Sequence, residues 1–462
     1  MRIKTGSPID PSLFGFPPDG VFLPVTAIST DSREICPGDL FVALTGNKTD
    51  GAAYIPEAFS RGASLVLSHR ASGDDPRVRG GSDPLAVLFD AAVRYARAIP
   101  HKTVGITGSY GKTTLRHHLC GILSAACPVA YTAGNGNTDL ALALTLLSMS
   151  PDTRILIAEL GMRGRGEIAR LSRLIRPDLS VITAIGSAHI GLLGSIEAIR
   201  DAKCEITDGM GRDGLLLYPA NDPLLSFRVE SLPVRPASVS VDPAYPATYT
   251  LKTHGISDGK ALVSLFSPAG EIERVPLPGC DPPILCSAAF CFAVCEALGI
   301  DRGITRRGLT RLSPPPLRRQ IEKIGGVTVL LDCYNASPEP TALALDSLAR
   351  YRDEGKRLFL LLGDMFELGD ASVGLHRMIG RRAAALSPAR LLCVGEYAKE
   401  YALGAIEAGL SRKKTALYAR DELPEVARDL RQRLSAGDLL FIKGSRALAL
   451  ESVIPRLNQA EN

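Results

Sequence analysis

Apolar residues recur along this chain in two alternating patterns. Between residues 103 and 220, short apolar runs (TVGIT, PVAYT, RILIAEL, LSVITAI, GLLLYPA) are separated by stretches with helical spacing. Runs that are apolar at nearly every position are buried on both faces, and the helices between them supply the cover, so this region predicts a parallel sheet. The same alternation returns after residue 320 in TVLLDCYNASP, LFLLLGDM, RLLCVGE, ALYAR and DLLFIKGS, which predicts a second doubly wound unit with its own sheet. Between the two lie more β-like segments (ATYTLKTHG, KALVSLFSPAG, EIERVPLPG) and an Ala-, Cys- and Phe-rich helix from about Ile284 to Leu298.

Ahead of these, strand-like DLFVAL and SLVLS mix with helical YIPEAFSRGA and PLAVLFDAAVRYARAI, and the Gly/Asp/Arg-rich stretch Ala71–Asp83 reads as a loop. The pattern changes near His101, and the proline-rich SPPPLRRQ at 313–320 marks a second break. The expected organisation is an α/β chain of three domains, 1–98, 99–312 and 313–462.

The bulk numbers agree. A length of 462 residues suits two to four domains, and 45% apolar with 22% charged residues is ordinary for a soluble globular chain. A net charge of +4 is too small to argue for nucleic acid or a membrane surface, and with no Trp there is no obvious stacking platform. The ten cysteines form no Cys-x-x-Cys pair and read as small buried hydrophobes in a reducing compartment. MRIKTGSPIDPS lacks a signal-peptide core, and no apolar run reaches the roughly 18 residues that span a bilayer. A cytoplasmic protein not inserted in a membrane is the expectation.

Ligands of parallel sheets sit beyond the carboxyl ends of the strands. TVGIT ends in Thr107 and runs into Gly108-Ser109-Tyr110-Gly111-Lys112-Thr113-Thr114. Such a turn lets backbone N–H groups cradle phosphate, with Lys112 reaching the terminal phosphates and the Thr113 hydroxyl suited to Mg²⁺. Its Gly-x-x-Gly-Lys-Thr spacing is shorter than the usual Gly-x4-Gly-Lys-[Ser/Thr]. RILIA ends in Glu159, either a Mg²⁺ ligand or a salt-bridged carboxylate. LSVITAI leads to His189, a loop histidine or a ligand, and PVAYT leads to Asn135 and Asn137.

SIEAIRDAKCEITDGM reads as a helix whose stripe of Ile196, Ile199, Ile206 and Met210 also carries Lys203. A core-facing lysine either snorkels outward or loses basicity. A neutral amine there can take up CO₂ to form a carbamate, which ligates metal as a carboxylate does. Both readings stay open on the residues alone.

Taken together these motifs resemble the Mur ligase family, ATP-dependent amide-bond ligases of bacterial cell-wall synthesis. The likeness runs from ISTDSREICPGDLFVALTGNKTDG through TGSYGKTT, GNGNTDLALALTLL, AELGMRGRGEI and AHIGLLGSIEAIRDAKCEI to LDCYNASPEP, LGDMFELG with His376, and KGSR at 443–446. The resemblance implies a nucleotide-sugar domain, a central phosphate-loop ATPase domain and a Rossmann-like C-terminal domain for the incoming amine. It implies that Lys112, Glu159, His189 and Lys203 are catalytic. Thr113 and Glu159 would bind one Mg²⁺, His189 and carbamylated Lys203 a second. ATP would be held by Thr107–Thr114, Arg318, Asp332 and Asn335. Substrate contacts would come from Thr30, Asp31, Ser32, Arg33, Thr45 and Gly46 for the uridine nucleotide, and from Asn135, Asn137, Tyr334, Lys443, Ser445 and Arg446. The Asp-x-Tyr-Asn-Ala-x-Pro stretch implies joining D-alanyl-D-alanine to a UDP-N-acetylmuramoyl-tripeptide through an acyl phosphate. Small-molecule substrates and a monomeric state are implied only by this resemblance.

The chain departs from the family pattern where Gly279-Cys280-Asp281-Pro282-Pro283-Ile284-Leu285 replaces Gly-x-His-Asn-x-x-Asn, so those adenine-side contacts do not carry over. Thr138, Ser337 and Pro340 also replace family residues. Two alternatives are a sister ligase adding another amino acid, such as a diamino acid, and a nucleotide-binding relative without catalysis. An NAD-dependent dehydrogenase is disfavoured because neither α/β domain opens with Gly-x-Gly-x-x-Gly.

Overall fold

A computed structural model describes residues 1–18, 22–46, 49–70, 75–132 and 138–457. The chain is α/β and builds three sheets in sequence order. The first has five strands, β1 (Arg2–Ile9), β2 (Val25–Ser29), β3 (Leu40–Ala43), β4 (Leu65–Ser68) and β5 (Val78–Arg79), side by side in that order. Its strands β2 to β5 run parallel, and β1 joins antiparallel at the edge.

The central sheet has nine strands: β6 (Lys102–Thr107), β7 (Val129–Tyr131), β8 (Ile155–Glu159), β9 (Leu179–Ile182), β10 (Leu215–Pro219), β11 (Arg235–Ser240), β12 (Tyr249–Ser257), β13 (Lys260–Ser267) and β14 (Gly270–Leu277). Their order is β14-β13-β12-β11-β10-β9-β6-β8-β7, parallel from β7 to β12 and closed by the antiparallel pair β13 and β14. The segments that read as a separate β-like portion therefore extend the same sheet.

The third sheet has six strands: β15 (Gln320–Ile324), β16 (Val327–Leu331), β17 (Leu358–Gly363), β18 (Arg390–Val394), β19 (Thr415–Tyr418) and β20 (Leu439–Lys443). Their order is β15-β16-β20-β17-β18-β19, parallel apart from β15. Strands β8, β9, β17 and β20 are buried at every position, as their unbroken apolar patterns predict.

Three segments differ from the sequence reading. RIKTGSPI, which carries no apolar alternation, is β1, held by main-chain pairing to β2. The stretch Ala71–Asp83 contributes strand β5, while residues 71–74 lie outside the described residues. SIEAIRDAKCEITDGM is α-helical only over Ile196–Cys204 and tightens into a 3₁₀ turn over Glu205–Gly209. The cause is contact: a Cβ at Gly209 would overlap the backbone of Ser172, so this turn lies directly on the helix Glu167–Ile175.

The first and central sheets share a core. Helix Pro84–Arg97, capped by Asp83 accepting from the Leu85 N–H at 3.0 Å, packs against helix Asp139–Leu147. One apolar cluster runs from Phe14 and Leu40 through Leu88 and Ala92 to Leu144, Leu160 and Ile199. The Tyr95 hydroxyl closes the junction by donating to Met149 O at 2.7 Å.

Two helices of the third unit meet through glycine. A Cβ at Gly380, on Ser372–Ala384, would overlap Tyr401 O, and one at Gly404, on Ala398–Glu407, would overlap Arg377 O. Replacing Gly380 with Ala therefore destabilises by about 1–3 kcal/mol, the usual cost of overpacking. The urea unfolding midpoint reads this; an unchanged midpoint means the two helices separate freely.

Candidate functional site

Strand β6 ends at Thr107, whose hydroxyl donates to Leu160 O at 2.9 Å. The turn Gly108–Gly111 follows, then the helix Lys112–Leu123. Gly108 and Gly111 have φ of 140° and 84°, a region that favours glycine, and a Cβ at Gly108 would overlap the Thr183 hydroxyl. The turn is stitched to the end of β9. The Ser109 hydroxyl donates to Gly186 O at 3.1 Å and accepts from its N–H at 3.0 Å, and the Thr183 hydroxyl donates to Tyr110 O. The phosphate loop and the β9 end thus move as one piece.

Lys112 folds back so that its ammonium donates to Gly108 O. The Thr113 hydroxyl donates to Glu159 Oε1 at 3.1 Å, at the end of β8. Glu159 is 6% exposed, and its other oxygen accepts from Arg116 Nε at 3.2 Å. Arg116 also donates to Thr132 O, while the Thr132 hydroxyl accepts from the Glu159 N–H at 3.1 Å. The carboxylate is thereby aimed, with Oε1 beside Thr113. These two hard oxygens suit Mg²⁺.

Lys203 is 0% exposed, and its amine has no hydrogen-bond partner among the described residues. Burial drives its pKa well below the ordinary lysine value, and the Lys112 ammonium pushes in the same direction. The snorkelling alternative does not describe this side chain. Burial also lowers the Lys112 pKa, against the opposing pull of Glu159. A buried amine of lowered basicity, without a hydrogen-bond partner among the described residues, is compatible with the carbamate reading.

His189 precedes the helix Ile190–Leu193. It has a left-handed φ of 69°, and its Nδ1 pairs with the Glu367 carboxylate from the third unit, a contact that lowers the Glu367 pKa. No three His, Cys, Asp or Glu side chains form a metal-sized group among the described residues.

The third unit closes over this edge through polar contacts. Arg318 Nη2 donates to Thr113 Oγ1 at 3.2 Å, and its guanidinium lies 4.2 Å from the centre of the Tyr334 ring. Leu317 and Arg319 on either side have left-handed φ of 57° and 58°, so the backbone is strained where the two arginines splay. Arg319 turns to Asp281 at 2.9 Å, and Arg350 approaches the same carboxylate at 3.4 Å. Asp281, standing where the family pattern has His, thus ties the central unit to the third.

Among the other expected residues, Lys443 donates to Asp332 Oδ2 at 2.7 Å, and Asn335 Oδ1 accepts from the Ala336 N–H. The Ser445 hydroxyl accepts from the Phe366 N–H at 3.2 Å, and Arg446 pairs with Glu451. His376 is internal, its Nε2 accepting from the Met365 N–H. In the first unit Asp31 accepts from the Arg33 N–H and guanidinium, Ser32 donates to Glu57, and the Thr30 N–H donates to Met1 O. Thr45 lines a cleft of about 450 Å³ with His69 and residues 81–85, and the Gly46 N–H donates to Thr49 O beside it. Asn135 and Asn137 lie outside the described residues. The sequence reading missed Arg116, Glu367 and Asp281 as site groups. Arg116, one helical turn after Lys112, carried a signal; the others depend on contacts between units.

The family descriptions match in the same order: "Mur ligase family, catalytic domain" at residues 24–90, "Mur ligase middle domain" at 106–279 and "Mur ligase, glutamate ligase domain" at 318–446. A curated relative from Synechocystis sp., named UDP-N-acetylmuramoyl-tripeptide–D-alanyl-D-alanine ligase, is 33% identical over 95% of this chain and 93% of its own. One of the same name from Bacillus subtilis is 31% identical over 94% and 93%. The chain belongs to the Mur ligase family. The crystal structure of a MurF ligase from Thermotoga maritima in complex with ADP superposes with a TM-score of 0.82, at 27% identity over 93% of this chain and 96% of that one.

In this Mur ligase the phosphate-loop helix is also tied to the linker. His118 pairs through Nδ1 with the Ser287 hydroxyl at 2.7 Å and through Nε2 with Ser313 O at 3.0 Å. Because Nε2 faces a carbonyl it carries the proton, and Nδ1 accepts from Ser287. Burial lowers the His118 pKa from 6.5 to about 4. The unfolded chain therefore binds the extra proton first as pH falls. The stability from neutral His118 is complete above about pH 6.5 and is lost toward pH 4. His118→Gln flattens the pH dependence of the thermal midpoint between these limits; an unchanged slope removes His118 from the acid response.

Proposed function

We propose that this Mur ligase uses ATP to join the amine of D-alanyl-D-alanine to the terminal carboxylate of a UDP-N-acetylmuramoyl-tripeptide in peptidoglycan synthesis. The observation that carries the proposal is the gathering of Lys112, the Thr113–Glu159 pair and the partnerless Lys203 amine at one sheet edge under Arg318. We assign the nucleotide-sugar end of the substrate to 1–98, ATP to 99–312 and the incoming amine to 313–462. No helix among the described residues is long and apolar enough to cross a membrane, and we assign the work to the cytoplasm.

The tripeptide carboxylate oxygen attacks the γ-phosphorus of ATP. The bond to the β–γ bridging oxygen breaks, ADP leaves, and an acyl phosphate remains. The dipeptide ammonium first loses a proton to give the free amine, which attacks the acyl carbon; the C–N bond forms, the C–O bond to phosphate breaks with its electron pair, and the nitrogen gives up a second proton to the departing phosphate. Lys112 leaves Gly108 O to neutralise the transferring phosphoryl group, and Arg318 adds charge from the third unit. Thr113, Glu159, carbamylated Lys203 and, on the family pattern, His189 would hold Mg²⁺, which when bound offsets phosphate charge. The turn of Gly108–Gly111 supplies backbone N–H groups to the phosphates. Closure of the third unit keeps water from the acyl phosphate.

ADP release measured with each candidate amine tests this reading, and release driven by a diamino acid instead of D-alanyl-D-alanine would move the chain to a sister activity. Lys112→Ala reduces release by at least a hundredfold; undiminished turnover removes the phosphate-loop assignment. Lys203→Ala is inactive and recovers partly with a short carboxylic acid. Full activity without added acid rules out a carbamate.

A further inference from the structure

Among the described residues, several buried polar atoms near the interface lack partners, and two of them, Glu339 Oε2 and the Ser187 hydroxyl, belong to residues joined across the gap. Glu339 stands in the first turn of the helix Pro338–Ser347 of the third unit. Its Oε1 reaches across the gap and accepts from the Ser187 N–H, beyond the end of β9, at 2.9 Å. Its Oε2 is buried with no hydrogen-bond partner, and so is the hydroxyl of Ser187, a residue 5% exposed. The fit is tight, because a Cβ at Gly186 would lie 2.8 Å from Oε2 and 3.2 Å from the Tyr110 ring. Both groups therefore adjoin the phosphate loop.

A buried carboxylate oxygen and hydroxyl without partners are costly, and the missing component is a donor. The other carboxylates nearby are committed: Glu159 to Thr113 and Arg116, Glu367 to His189, Asp281 to Arg319, and Asp332 to Lys443. Among these described carboxylates, only the third-unit Glu339 keeps an oxygen without a hydrogen-bond partner beside the phosphate loop. The co-substrate of the proposed reaction carries a cation, the ammonium group of the incoming amine.

We infer that Glu339 Oε2, with the Ser187 hydroxyl, is the docking point for the ammonium group of the amine substrate. This rests on the ligase reading above. Because closure seals both atoms, the amine enters while the third unit is apart, and its ammonium completes the interface as the units meet. Glu339 in this role binds the amine and takes no part in forming the acyl phosphate.

The test compares wild type, Glu339→Gln and Ser187→Ala. Gln keeps the shape and an acceptor for the Ser187 N–H but removes the charge. The expected result for Glu339→Gln is a KM for D-alanyl-D-alanine raised about ten- to hundredfold with the KM for ATP unchanged, the size of a lost charge-assisted hydrogen bond. Ser187→Ala raises the same KM a fewfold. Hydroxylamine, a small neutral nucleophile, replaces the dipeptide in a parallel assay. It attacks the acyl carbon and expels phosphate, and the expected loss on Glu339→Gln is much smaller for hydroxamate formation than for ligation of the dipeptide. An unchanged dipeptide KM, or hydroxamate formation that falls as far as ligation, overturns the inference. If wild type uses a different amine, the ligase assignment fails, and the same KM comparison with that amine still decides the role of Glu339. If no amine turns over, both fall.

Discussion

A carboxylate at the end of a fully buried strand must find partners, and the site depends on how Glu159 finds them. Thr113 and Arg116, both on the helix that follows the phosphate loop, take one oxygen each. That arrangement fixes the rotation of the helix on β8. It also sets where Lys112 starts and places a carboxylate beside Thr113. The glycine turn is then constrained at both ends, by Glu159 through the helix and by Thr183 and Gly186 through the β9 end. Electrostatic preorganisation of this kind avoids reorientation during phosphoryl transfer.

The two junctions between units differ in chemistry. The first unit is joined to the centre by a continuous apolar core, so the two behave as one body. The third meets the centre mainly through ion pairs and hydrogen bonds, Arg318 to Thr113, Arg319 to Asp281, Glu367 to His189 and Glu339 to the Ser187 N–H, with Ile190 adding an apolar contact to the third unit's core. Polar contacts exchange with water at small net cost, whereas separating an apolar core exposes its surface. The second junction is the more polar of the two. Substrates that react in sequence need such a boundary, because an acyl phosphate must be shielded from water and then presented to an amine.

Strain and unmet polar groups concentrate at this same boundary. Leu317, Arg319, His189 and Glu367 have left-handed backbones, and the Lys203 amine, Glu339 Oε2 and the Ser187 hydroxyl are buried without partners. In a well-packed chain such features mark places where ligands complete the structure. The departure at 280–283 fits the same picture. Asp281 replaces a family histidine and is engaged by two arginines, so a segment that touches nucleotide in the family pattern serves here as an inter-unit tie.

Sequence alone determined the α/β class, the parallel sheets of the central and third units, the strand ends that lead to Lys112 and Glu159, and the helix that bears Lys203. Unbroken apolar runs and a glycine turn before Lys-Thr-Thr are local signals, and a lysine on an apolar stripe needs only helical periodicity to be noticed. Edge strands such as β1 and β15 escaped it, because main-chain pairing holds them and asks little of their side chains. The partners of Glu159, the pairing of His189 with Glu367 and the reach of Glu339 to Ser187 were decided only by tertiary structure. Each joins residues far apart in the chain, and no local period records which carboxylate a closing domain will bring to which backbone N–H.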